Sequence, residues 1–257
     1  DRTGRFPVRS CVEWAQRSGA AKGSRRMITV ETIRERHSVR EYDGGPLDQA
    51  EFDALGAVVE ECARESGLDI QLVGDNPEVF NVIARFGLIR GCRTHVAFVV
   101  DDAKARGVAD DEAIGYWGQK IVLAAQDMGF NTCWCALCSR KKSRAVVAPG
   151  KKIRLIIAVG HGKTQGFSRK TKSVEALSSV ECAKAPAWFA AAMEAAQLAP
   201  TAMNNQNFKI TLLSDGKTVR IDAPQSGLNV IDEGIVRCNF EIAANEAGAD
   251  WRWERDI

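Results

Sequence analysis

An arginine, a hydroxyl and a second arginine stand at alternate positions in Arg36-His37-Ser38-Val39-Arg40. In an extended segment, alternate side chains point the same way. Arginine offers charge-assisted, bidentate bonds and serine a short one, which together suit a phosphate. Read alone, the segment is equally a solvated basic stretch. A second candidate is Ala199-Pro200-Thr201-Ala202-Met203-Asn204-Asn205-Gln206-Asn207-Phe208, between a helix pattern and a strand pattern. The amides of Asn204 and Gln206 donate and accept together, as recognition of a flat heteroaromatic edge requires. They serve equally well to cap their own loop. A third candidate is GFNTCWCALCSR (129–140), with Cys133, Cys135 and Cys138 close together. That spacing suggests a metal, and leaves a redox disulfide or mere packing near another site open, but a closed zinc or iron–sulfur site needs four ligands and no second C-x-x-C follows. No metal site is therefore expected. His37, His95 and His161 are far apart, with no acidic partner at ligand spacing. GHGKT (160–164) carries Ile157 where a P-loop needs glycine, and no G-x-G-x-x-G follows a strand.

These segments need a scaffold, and the chain is long enough for one large core or two small ones. Hydrophobic residues at 45% and charged residues at 26% are ordinary for a soluble globular protein. A net charge of +2 gives no strong pull toward nucleic acid or an anionic membrane surface. No apolar run reaches the roughly 18 residues of a spanning helix. Residues 1–26 are rich in arginine, poor in acids and without an apolar signal core, a composition that also fits a transit peptide. They read as a disordered extension ahead of a natural start at Met27, in a cytoplasmic protein whose cysteines are mostly reduced.

Phe52, Leu55, Val59 and Cys62 predict a helix over 47–65, behind Pro46. HVAFVV (95–100) and IRLIIAV (153–159) read as strands. Asp110 and Asp111 are N-cap candidates for a second long helix, with Ile114, Trp117, Ile121, Ala125 and Met128 as its buried stripe and Gly129 at its end. A third helix starts with Pro186 in its first turn and stops before Pro200. FKITLL (208–213), Asp215-Gly216 and VRIDA form a hairpin, and a last helix covers about 230–247. The second and last helices look alike. A constant offset of 119 residues relates Gly115 to Gly234, Gly129 to Gly248 and Trp134 to Trp253, which reads as an internal duplication in an α+β arrangement.

Taken together, RHSVR, the APTAMNNQ turn after an Ala-rich helix and the helix end MGFNTCW resemble the FMN-dependent nitroreductase family. The resemblance spans Glu31 to Trp253 and is nearest to a single-chain branch with two halves fused in tandem. It implies an α+β fold of two- or three-layer α-β-α type, with a first half over 27–178 and a second, intertwined half over 179–257. In the family, the arginine motif of one chain meets the amide turn of the other. Here the first half has only the arginines and the second only the turn, implying one FMN per monomeric pseudo-dimer, which further dimerisation could still pair.

By position, Arg36, Ser38 and Arg40 would hold the FMN phosphate, with His37, Arg169, Lys170 and Lys172 nearby. Thr201, Ala202, Asn204 and Gln206 would lie against the isoalloxazine ring, and Trp134, Cys135, Ala136 and Leu137 would run along it. The family's common Q-P-W is Gln206-Asn207-Phe208 here. The resemblance implies ping-pong hydride transfer from NADH or NADPH through flavin N5 to a small nitroaromatic, quinone or related acceptor. The cofactor carries the chemistry, so no catalytic side chain is named, and neither nucleic acid nor membrane is a partner. Two other classes stay open: an FMN-binding protein without turnover, as a flavin store or redox sensor, and a cysteine-based metal or redox protein.

Overall fold

The computed structural model describes residues 28–80, 89–102 and 108–254, and the basic stretch 1–26 lies outside them. A short helix, α1 (Val30–Glu35), leads to α2 (Gln49–Ser66). Asp48 caps α2 by accepting from Glu51 N at 2.8 Å, and Glu51 accepts from Asp48 N at 2.9 Å. This reciprocal cap moves the helix start two residues beyond the expected Leu47. Strand β1 (Asp69–Val73) follows at once; its polar Asp69 and Gln71 and its short length had hidden it. The expected strands are present as β2 (Thr94–Asp101) and β4 (Lys151–Gly160). Between them come helix α3 (Val108–Asp127) and β3 (Asn131–Cys135). The four strands form one antiparallel sheet in the order β1-β2-β4-β3.

Beyond the short α4 (Val174–Leu177) stand α5 (Ala187–Gln197) and the hairpin of β5 (Lys209–Leu212) and β6 (Thr218–Asp222). Asp215 accepts from the backbone N–H groups of Lys217 and Thr218, and Gly216 takes the left-handed conformation that the turn needs. Helix α6 (Asn229–Glu246) is followed by β7 (Arg252–Trp253), which joins β6 in parallel and is too short to show as a pattern. The architecture is thus the mixed helix-and-sheet fold expected.

Three local expectations need correction. Asp110 and Asp111 do not cap α3, since both lie inside its first turn. Asp111 is instead held by the Arg154 guanidinium on β4, at 2.8 and 2.7 Å. Pro186 is the cap of α5, with extended ψ, and not a residue of its first turn. Met128 lies just past the end of α3 and is partly exposed, whereas Ile114, Ile121, Val122, Leu123 and Ala125 are all buried. The helix is covered on more than one face because α6 packs along it and Phe98 and Trp134 of the sheet come against its Gly118.

That packing is backbone against backbone. A Cβ on Gly115 would sit 2.0 Å from Ile231 O, and one on Gly234 would sit 2.0 Å from Glu112 O. Beside the crossing, Tyr116 donates to Glu241 at 2.8 Å, and Gln119 donates to Asn239 at 3.0 Å. Arg237 bridges Glu112 and Glu233, each at 2.9 Å. The offset of 119 residues relates Glu112 to Ile231 as it does the glycines, so the contact is reciprocal. Gly129 and Gly248 both follow their helices in left-handed conformation, and β3 and β7 then present Trp134 and Trp253. Gly115→Ala or Gly234→Ala is expected to lower unfolding stability by at least about 2 kcal/mol, because the obstructing atom is backbone and the helices must part. Urea unfolding checks it; an unchanged midpoint would refute the close contact.

Candidate functional site

Arg36 ends α1: its N–H donates to Thr32 O and the chain then turns extended. From there Val39 N donates to Thr132 O at 3.0 Å and Ser38 bridges Thr132 in parallel, so the segment lies beside the start of β3. Val39 anchors it among Tyr42 and Cys133. The charges of Arg36 and Arg40 and the Ser38 hydroxyl act on the Cys133 thiol, which lies on β3 beside this segment. Arg169 joins them from the loop after β4. Burial pushes the Cys133 thiol up, and the three guanidiniums oppose that shift.

The positive charge here is concentrated and uncompensated. Arg36 is buried, its Nε has no hydrogen-bond partner, and burial lowers its pKa to about 10. Arg169 is also lowered, by burial and then by Arg40. Among the described residues, no carboxylate forms an ion pair with Arg36, Arg40 or Arg169. A buried cation without a counter-charge is costly, so the cluster is shaped for an anion. His37 fastens the loop to the segment: its Nδ1 lies 2.9 Å from Glu35 O and its Nε2 3.3 Å from Ser168 Oγ. Gly166 passes against the same histidine where a Cβ would stand 2.6 Å from its Cβ.

The loop then reaches the amide turn. Lys172 N donates to Gln206 Oε1 at 2.7 Å, Lys172 Nζ to Gln206 O at 3.0 Å, and Asn204 Nδ2 to Lys170 O at 2.8 Å. Gln206 Nε2 donates to Gln197 O and its N–H to Thr201 Oγ1. Both ends of the Gln206 amide are therefore used within the protein, and the side chain is buried. Met203, Asn204 and Gln206 all have left-handed backbone, with φ of 52°, 57° and 46°. Such non-glycine residues cost on the order of 1 kcal/mol each and persist where surrounding bonds fix them. Met203 is 90% exposed on this turn.

One participant escaped the sequence reading. Asp232 on α6 accepts from Ala202 N with both carboxylate oxygens, at 2.9 and 3.0 Å. In sequence it was one polar residue in a helix, with nothing to mark its partner. Burial pushes its carboxyl up to about 7, against the opposing effect of the Ala202 bond.

Along β3 the side chains divide. Cys133 and Cys135 face Val39 and Tyr42, whereas Trp134 faces the other layer, stacked on Phe98 at 6.3 Å and donating to Gln119 Oε1 at 3.4 Å. Ala136 is half-buried and Leu137 is exposed, both past the end of β3 opposite the one that pairs with Ser38. The structure thus gathers Arg36, His37, Ser38, Arg40 and Arg169 with Lys170, Lys172, Thr201, Ala202, Asn204 and Gln206. Of the β3 residues, Trp134 turns its indole away. Among the described residues, no three His, Cys, Asp or Glu side chains group as metal ligands.

A family model described as "Putative TM nitroreductase" matches residues 28–244. A crystal structure described as a "putative nitroreductase" from Thermotoga maritima is 20% identical, covers 90% of this chain and 89% of its own, and superposes with a TM-score of 0.62. A "Putative NADH dehydrogenase/NAD(P)H nitroreductase" from Parabacteroides distasonis is 21% identical, over 59% of this chain and 95% of its own, with a TM-score of 0.45. A "putative nitroreductase in complex with fmn" from Desulfovibrio desulfuricans is 18% identical over the same shares, with a TM-score of 0.46. Among curated proteins, none matches the chain.

Asp232 sets a pH dependence. Its folded-state pKa of about 7 lies above the ordinary carboxylate value of 3.8, so the folded state binds the proton more tightly. This contribution is fully present below about pH 4 and is lost as pH rises through about 7. Asp232→Asn keeps an oxygen for Ala202 N–H and removes the titration. Its stability is expected to vary less between pH 4 and 8 than that of the parent, by a few kcal/mol at most. Urea unfolding across that range checks it, and parallel profiles for the two proteins would contradict it.

Proposed function

The chain belongs to the nitroreductase family whose model spans residues 28–244, and from that premise we propose an FMN-dependent NAD(P)H oxidoreductase acting on a small nitroaromatic, quinone or related acceptor. The observation that carries the reading is the guanidinium cluster of buried Arg36, half-buried Arg40 and exposed Arg169, with Arg36 Nε unpartnered and, among the described residues, no ion pair to a carboxylate. That donor set fits the phosphate of FMN. Ser38 adds a hydroxyl, while His37, Lys170 and Lys172 hold the surrounding loop in place or add positive charge.

Gln206 serves this site as a positioning residue, since its amide is spent on Lys172 and Gln197. The ring would then meet Thr201, Ala202 and Asn204 on one side and the backbone of Trp134, Cys135, Ala136 and Leu137 on the other. When bound, the flavin supplies two-electron hydride chemistry, with NADH or NADPH and the acceptor using the same place in turn. The protein contributes binding, orientation and charge, so no acid–base side chain is assigned.

The reciprocal glycine contacts support reading residues 27–178 and 179–257 as two fused halves of a pseudo-dimer with one flavin per chain. Replacing both arginines, Arg36→Ala with Arg40→Ala, is expected to weaken FMN binding by roughly 3 kcal/mol or more, about a hundredfold in Kd. Fluorescence titration of FMN measures it, and unchanged affinity would sink the site. Anaerobic mixing of the parent holoprotein with NADH or NADPH should bleach the flavin. Tight binding without bleaching would favour a flavin store or sensor.

A further inference from the structure

Cys135 is the last residue of β3, and Cys138 follows it across Ala136 and Leu137. Cys138 Sγ lies 3.5 Å from Cys135 O, and the two thiols are close enough to influence each other's ionisation. Cys135 is buried against the layer that holds Val39 and Tyr42, while Cys138 is half-buried at its edge. Arg140 is set beside them by several bonds. Its Nη2 donates to Ala136 O at 2.9 Å, its N–H donates to Cys138 O at 3.0 Å, and Ser139 N donates to Val79 O at 2.8 Å. The guanidinium charge acts on the Cys138 thiol, and its buried Nε has no partner.

The other described cysteines lack this combination. Cys62 and Cys238 are sealed in the core. Cys92 gives its S–H to the carbonyls of Thr94 and Val159, and burial pushes it up to about 12. Cys133 is enclosed by the arginine cluster. Among the described cysteines, only Cys135 and Cys138 pair an inner thiol with a more accessible one beside a cation.

We propose that Cys135 and Cys138 form a dithiol–disulfide couple that exchanges with small anionic disulfides, Cys138 attacking and Cys135 resolving. The inference goes beyond the flavin reading, and its test needs no flavin turnover. In the first step the Cys138 thiolate attacks one sulfur of the substrate disulfide. A bond from Cys138 to that sulfur forms, the substrate S–S bond breaks, and the departing thiolate takes up a proton. In the second step Cys135 loses its proton and attacks Cys138 Sγ. The intrachain disulfide forms, the mixed disulfide breaks, and the second substrate thiol leaves with a proton. The protein is oxidised by two electrons and the substrate is reduced to two thiols.

The thiol chemistry agrees with this order. The influence of Cys135 holds the Cys138 thiol below its ordinary value, with Arg140 adding to the effect, and the influence of Cys138 together with burial raises Cys135. Attack by the more ionised, more accessible thiol is the usual course of exchange. Exposed Lys141 and Lys142 follow Arg140 and supply the positive charge that selects an anionic disulfide.

The experiment equilibrates the full-length protein, as isolated, with glutathione buffers from reducing to oxidising, quenches with acid and maps the thiols by mass spectrometry. A Cys135–Cys138 link that appears and reverses with the buffer ratio, while Cys133 remains alkylatable after denaturation, is expected. Without oxidant, iodoacetamide should label Cys138 about tenfold faster than Cys135 in the native protein. Cys135→Ser should accumulate glutathione on Cys138, and Cys138→Ser none on Cys135. Arg140→Ala should slow labelling of Cys138, with Arg140→Lys restoring it in part. Absence of the link at every ratio in the unsubstituted chain overturns the proposal, and so does glutathione captured on Cys135. The unsubstituted chain decides alone if a variant does not fold. A chain that forms the link yet never binds FMN loses the flavin reading and keeps this one.

Discussion

The contact between Gly115 and Gly234 fixes the separation of α3 and α6, and both sides of the candidate site hang from those two helices. With no side chain between the backbones, Ile231 O comes against Gly115, and the next residue, Asp232, is carried to Ala202. On the other helix, Gly129 turns the chain from α3 into β3, whose first residues pair with Ser38 and Val39. A larger residue at either crossing point would therefore shift the amide turn relative to the arginine segment. Packing at the centre and geometry at the site are one constraint, even though neither glycine touches the site.

Against that frame of close apolar packing stands an unbalanced electrostatic one. Three guanidiniums stand together, Arg36 buried, Arg40 half-buried and Arg169 exposed, with no ion pair to a carboxylate among the described residues; Arg169 disfavours the charge of Arg36, and Arg40 that of Arg169. The fold tolerates this because α1, β3 and the loop after β4 are tied together by backbone bonds and by His37. Any anion that settles there relieves repulsion already present, so its binding adds to the stability of the folded state through mass action. The left-handed turn over 203–206 shows the same tension in the backbone. Its unfavourable conformations are held by Gln206, Asn204 and Asp232, whose hydrogen bonds outweigh the local cost.

Much of the scaffold was legible from pattern. HVAFVV and IRLIIAV are apolar runs with nowhere to go but a buried strand, and the Asp215-Gly216 turn declares its hairpin. Strands β1 and β7 were not legible, since one is polar at alternate positions and the other is two residues long. At the site, alternation in RHSVR gave the convergence of Arg36, Ser38 and Arg40. The internal bonds of Gln206 were not legible for a physical reason: an amide offers the same donor and acceptor to a ring edge as to Lys172 and Gln197. Asp232 was silent because its partner is 30 residues away and is met only after α6 docks. Trp134 belonged to the right strand but alternation sends its ring to the opposite face.

The ties that assemble the candidate site run from His37 to Ser168, from Lys172 to Gln206 and from Asp232 to Ala202, all within one polypeptide. The formation of these ties is therefore first order in protein: they follow from folding and do not wait for an encounter between molecules. Dilution, which loosens contacts shared between separable chains, leaves these three unaffected.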